Sequence, residues 1–174
     1  MGFAEIRVPS GVSEEAVALD ELRVPKRRVP AQLTSPGGEV REVSVFLTTG
    51  VPEYTEGERL SDLLNGAVKF IPAQDVATER IIFLNSAAIA VAHTDIEHEF
   101  REEDRLTILT EHEVEIRLVD GQRLQGLIVY MQPEGRARLN DYLNDTPRFL
   151  RLIQDKRVAL VNKRYVASVE PLSV

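Results

Sequence analysis

Two tandem small five-stranded β-barrels, each with one short inserted α-helix, preceded by an N-terminal helix: this mainly β architecture is what the sequence predicts. Three observations predict it. A seven-residue helical motif occurs twice, with ordered matches following each copy. The flanking segments alternate apolar and polar residues at the period of a half-buried strand. Each copy then has room for five strands and one helix in about 65 residues, too little chain for a sandwich or a doubly wound sheet.

The duplication carries the argument. Arg59-Leu60-Ser61-Asp62-Leu63-Leu64-Asn65 reads against Arg138-Leu139-Asn140-Asp141-Tyr142-Leu143-Asn144, with five of the seven positions identical. Lys69-Phe70-Ile71 then lies over Arg148-Phe149-Leu150, and Gln74-Asp75 over Gln154-Asp155 after a one-residue slip. The run from Arg80 to Asn85 matches Arg157 to Asn162, and Ile89-Ala90 matches Val166-Ala167. Upstream, Val29 to Leu47 corresponds more loosely to Glu113 to Tyr130.

Within the second copy, Val114, Ile116 and Leu118 alternate with Glu113, Glu115 and Arg117, and Asp120-Gly121 is a hairpin turn signal. Ser35-Pro36-Gly37-Gly38 takes the same place in the first copy. Leu60, Leu63 and Leu64 form one helical stripe, repeated by Leu139, Tyr142 and Leu143. Thr55 with Glu58 fits a capping box, and Asn65-Gly66 fits a helix end. Three short strands follow, over 67–73, 80–84 and 89–92. Ser13 to Arg23 reads as an amphipathic helix with Glu14 and Glu15 in its first turn. The organisation expected is therefore an N-terminal helical extension (1–27), a first barrel (28–93), an acidic linker (94–112) that reaches into the next strand, and a second barrel (113–174).

Composition narrows the function. The chain has 174 residues, 21 basic against 28 acidic, for a formal charge of −7. Its 43% hydrophobic content is enough for a core, and the absence of cysteine removes disulfides, thiolate metal sites and a thiol nucleophile. No apolar run reaches the roughly 18 to 20 residues of a membrane span, and Met1 to Ser10 lacks the pattern of a secretory signal. A cytoplasmic protein with no membrane contact is expected.

The pattern Arg-Leu-Asn-Asp-Tyr-Leu-Asn, then Phe-Leu-x-Leu, Val-Ala-Leu-Val-Asn-Lys and Val-x-x-Val-x-Pro resembles a group of bacterial proteins thought of as Sm-like or SH3-like small barrels. The resemblance covers both copies, more closely from Glu113 to Pro171 than from Val29 to His93. It implies a barrel with a helix inserted between strands two and three, and a bacterial origin; it brings no catalytic residues. The first copy departs from it at Ser86-Ala87-Ala88, where the second has Lys163-Arg164-Tyr165.

Several residue groups invite chemistry. His93, His98 and His112 stand among acids, as zinc, manganese or iron ligands do, but His93 and His98 are five apart and do not share a helix face. No metal or other cofactor is expected. Asp62 with Asn65, and Asp141 with Asn144, are more simply read as holding the fold, since Asn ends helices and Asp binds loop amides. No nucleophile elbow, phosphate loop or dinucleotide fingerprint is present, so no enzyme is expected. Arg136, Arg138, Arg148 and Arg151 add to a basic second copy, and basic side chains with exposed aromatics bind nucleic acid. Tyr142 and Phe149 fall on core faces, leaving Tyr165 as the one base platform, and the chain as a whole is acidic. RNA binding through that face is the alternative reading. The leading one is a non-catalytic protein-interaction or regulatory module, with Lys156, Arg157, Lys163, Arg164 and Tyr165 as the contact surface. An acidic protein segment suits that surface, and unpaired edge strands suit strand addition with a partner or with a second copy as a homodimer.

Overall fold

A computed structural model describes residues 26–50, 57–101, 104, 110–131, 138–145 and 147–172. The expected N-terminal helix, Ser13 to Arg23, lies outside the described residues. Among the described residues ten strands form: β1 Lys26–Thr34, β2 Val40–Thr48, β3 Phe70–Asp75, β4 Ile81–Asn85, β5 Val91–Asp95, β6 Thr110–Leu118, β7 Arg123–Tyr130, β8 Phe149–Gln154, β9 Arg157–Asn162 and β10 Val166–Pro171. Short helices join them, among them α1 Leu60–Asn65, α2 Ile96–Glu99 and α3 Leu139–Asp145, with 3-10 turns at Ser86–Ala88 and Lys163–Tyr165.

Turn chemistry sets the hairpins. Gly38 and Gly121 take positive φ (83° and 91°), closing β1–β2 and β6–β7 where Ser35-Pro36-Gly37-Gly38 and Asp120-Gly121 predict them. Asp120 Oδ1 accepts from the Gln122 amide at 3.0 Å, which fixes the second turn. Along β6 the alternation holds, with Val114, Ile116 and Leu118 buried. The start of α1 differs from expectation. Thr55 lies outside the described residues, and Glu58 spends its Oε2 on the Thr48 amide at 3.0 Å. Asp62 accepts instead from the Arg59 amide at 3.0 Å, occupying one N-terminal donor from within the helix. Across the acidic segment, β5 runs to Asp95, α2 covers Ile96–Glu99 and β6 begins at Thr110.

All strand pairs are antiparallel, and the strands make one ten-stranded sheet in the order β10-β6-β7-β8-β9-β5-β1-β2-β3-β4. The described strands thus form one continuous sheet, where two tandem five-stranded barrels were expected. Both halves read in the same order: last strand, first, second, third, fourth. The halves meet where β5, the last strand of the first, pairs with β9, the fourth strand of the second, from Val91↔Val161 to Asp95↔Arg157. At the far ends, among the described residues, no strand pairs with the outer side of β4 or of β10.

Two hydrophobic cores sit along this sheet. The first, built on Val29, Val45, Leu47, Leu60 and Leu64, also contains Phe149, Val158 and Leu160 from the second half. The second, built on Val114, Ile116, Ile128, Leu150 and Leu152, takes Ala90 and Val91 from the first. Neither half closes its core with its own residues alone.

Candidate interaction edge

Strand alternation places Phe70 and Pro72 of β3 on the same face as Ile81 and Phe83 of β4, since Phe83 pairs with Pro72 and Phe70 with Asn85. The opposite face carries Ile71, Ala73, Ile82 and Leu84, which pack on the first core. Phe70, Ile81 and Phe83 are therefore left outward, 59%, 54% and 70% exposed. Their repeat counterparts are Phe149, Val158 and Leu160, at 2%, 0% and 0%. Identical places in the two copies have opposite fates. The difference is the neighbour: β9 is covered by β5, whereas β4 is the end of the sheet.

Side chains reinforce the β5–β9 junction. Asn162 donates through Nδ2 to Ile89 O at 2.9 Å, its own amide donates to Ala90 O at 2.9 Å, and its Oδ1 caps the following turn at the Arg164 amide. Asn85, its counterpart, makes the same turn cap at the Ala87 amide yet is exposed. Asn65 at the end of α1 holds both backbone groups of Phe149, and Arg148 Nη2 donates to Leu64 O at 2.9 Å. The Tyr165 hydroxyl donates to Ala87 O at 2.6 Å.

The basic residues singled out in the sequence are distributed around this junction and do not form one patch. Lys156 and Arg157 lie at the start of β9; the Lys156 carbonyl accepts from the Ile96 amide at 2.9 Å, and Arg157 stands in register with Asp95. Lys163, Arg164 and Tyr165 follow its far end, six residues of extended chain or about 20 Å away. Lys163 Nζ donates to Leu143 O at 3.0 Å, while the Arg164 guanidinium lies 5.9 Å from the Tyr165 ring. Tyr165, half-buried and hydrogen-bonded, is engaged in the fold; Lys156, Arg157 and Arg164 are the exposed members.

The histidines are spread over three elements, His93 on β5, His98 in α2 and His112 on β6. Among the described residues no group of three His, Cys, Asp or Glu side chains is placed to hold a metal ion. His93 bonds Gln154 Oε1 at 3.2 Å, and burial, aided by the Arg157 charge, lowers its pKa from the usual imidazole value. His112 bonds the Tyr130 hydroxyl at 3.1 Å. Among the described residues one carboxylate is fully buried: Glu99 Oε1 accepts from the Ser61 amide at 3.0 Å, its Oε2 has no hydrogen-bond partner among them, and burial pushes its pKa up.

Phe70, Ile81 and Phe83 were not among the residues marked out by sequence. A signal existed in Ile81-Ile82-Phe83-Leu84, apolar on both faces, which is the pattern of a strand meant to be covered twice. Among the described residues no helix is long and apolar enough to cross a membrane. Comparison with protein-family models, with curated proteins and with solved structures returns no match.

Proposed function

We propose that this chain is a non-catalytic protein-interaction module, two small barrels joined edge to edge, that takes its partner along β3 and β4. One observation carries the reading: three large apolar side chains, Phe70, Ile81 and Phe83, share one exposed face beside an open strand edge. Scattered apolar residues on a surface are ordinary. Three together, next to a strand edge that no described strand pairs, offer a strand-addition site with both register and pockets. The two-barrel description is supported by the repeated strand order and by one core per half.

The test compares three immobilised baits in a cell extract: the wild-type chain, Phe83→Asp, and the double variant Lys163→Glu with Arg164→Glu. A stoichiometric protein held by the wild type and by the double variant, and lost from Phe83→Asp, is the expected result. Equal capture by Phe83→Asp, or loss only from the double variant, overturns the assignment of the contact to β4.

A further inference from the structure

We propose a second site, separate from the β4 edge: a pocket that binds the phosphate group of a small molecule through Arg27 and Arg59. A cavity of about 390 Å³ opens between the start of β1, the segment that leads into α1, and α2. Three guanidinium groups line it, those of Arg27, Arg59 and Arg101, against one lining carboxylate, Glu97. The three arginines come from separate parts of the chain, and only the fold brings them together. None of the described β3 or β4 residues lines the cavity.

The fold anchors these cations without compensating them fully. Arg27 Nη2 donates to Glu58 O at 3.1 Å, and no carboxylate among the described residues pairs with it. Arg59, whose side chain is 12% exposed, meets Asp104 Oδ2 through Nη2 at 3.0 Å. The buried Nε of each has no hydrogen-bond partner among the described residues. Arg101 Nη2 donates to Gly57 O, which ties it to the same segment. A guanidinium carries five donors, and unmade hydrogen bonds on a buried charged group are costly. A phosphate group reached through the terminal nitrogens matches the planar fork and supplies the missing negative charge.

The architecture does not require this charge. Aligning the two copies on their hairpin glycines, Gly38 and Gly121, sets Arg27 against the uncharged Thr110. The second copy makes the equivalent strand, β6, in the equivalent place in the sheet. Arg59, by contrast, recurs as Arg138. Arg27 therefore adds to the first copy something that strand formation does not need. The remaining lining sets the ligand class. Phe100 adds an aromatic surface, and Gly50 and Gly57 contribute main chain alone. Small-molecule sites run from about 300 to about 1,000 Å³, so the cavity has room for an organic group beside the phosphate. Glu97 and the Asp104 that shares Arg59 repel further negative charge, which favours a single phosphate over a polyanion.

Isothermal titration calorimetry on the full chain at low salt tests this, with inorganic phosphate and phenyl phosphate as the probes. Saturable binding of one phenyl phosphate per chain is expected, tighter than that of inorganic phosphate, together with a raised melting temperature. Arg27→Gln is expected to weaken binding by about tenfold or more. Arg28→Gln removes the same charge from the other face of β1 and should leave it unchanged. Glu97→Gln, at an exposed position, should tighten it by about twofold or more. Circular dichroism checks that each variant is folded; if Arg27→Gln is not, the Glu97→Gln comparison decides, and an unchanged affinity there counts against the site. No saturable binding of either probe to the wild type, or equal losses in Arg27→Gln and Arg28→Gln, overturns the inference. Equal affinity for the two probes overturns the organic part of the ligand and leaves a site for the free ion.

Discussion

Asn65 closes both backbone hydrogen bonds of Phe149, 84 residues away: its Nδ2 donates to the Phe149 carbonyl at 3.4 Å, and its Oδ1 accepts from the Phe149 amide at 2.8 Å. Phe149 is thereby fixed as the first residue of β8 while its ring fills the core of the other half. Replacing Asn65 with Ala strands two backbone groups at once, and is expected to cost about 1–3 kcal/mol. Asn144→Ala, at the same heptad position, removes a bond within an exposed helix end and is expected to cost less than about 0.5 kcal/mol. Urea unfolding of the two variants at equal concentration checks the contrast.

The phenylalanines should diverge in the same way. Phe149→Ala empties a buried site in the first core and is expected to cost about 3–5 kcal/mol. Phe70→Ala, at the matching place on the exposed face, should change the stability of the single chain by less than about 0.5 kcal/mol. Thermal unfolding of the two variants at equal concentration separates them.

Gly126 is required by space. A Cβ there would lie 2.3 Å from the Ile153 carbonyl oxygen, across the contact between β7 and β8. Main chain cannot retreat as a side-chain tip can, so Gly126→Ala is expected to destabilise by about 3 kcal/mol. Amide exchange should show the loss first in β8, beside the displaced carbonyl.

Glu99 makes stability depend on pH. Burial raises its pKa in the folded chain, and the nearby Asp62 adds to the shift, while the Ser61 hydrogen bonds and the Arg151 charge pull against it. The folded state therefore favours the protonated acid. The contribution of Glu99 is fully present below its unfolded value of about 4.3 and is lost as pH rises through the higher folded value. Glu99→Gln removes that dependence. The stability difference between Glu99→Gln and the wild type should grow in favour of Gln as pH rises from about 5 to about 8. Chemical denaturation across that range reads it, and a flat difference would assign the dependence to other groups.

Much of the local architecture is legible in the residues. The Asp120-Gly121 turn, the Val114-Ile116-Leu118 alternation and the Leu60-Leu63-Leu64 stripe all lie within elements of the expected kind. What the pattern does not carry is the identity of the covering partner. Period-two alternation tells which face of a strand is buried and not which segment buries it, so nothing in Arg157 to Asn162 distinguished a strand shared between halves from the end of a barrel. Side-chain reach was lost for the same reason. Asn65 stands where a helix-ending Asn belongs, yet its amide leaves the helix for Phe149. Among the residues marked as a contact surface, Tyr165 faces inward onto Ala87, a contact set by strand order.

The shared first core has a consequence for the order in which the protein acquires structure. A ribosome releases β1 to β5 long before Phe149, Val158 and Leu160 have been made. The early half is then an incomplete nucleus with β5 bare on one side, and its final packing waits for residues near the end of the chain. Contacts this distant in sequence are paid for in loop-closure entropy before they return any stability, which slows folding and leaves the intermediate open to mispairing. Synthesis speed and chaperone access should thus weigh more heavily on this chain than on two barrels that each finish alone.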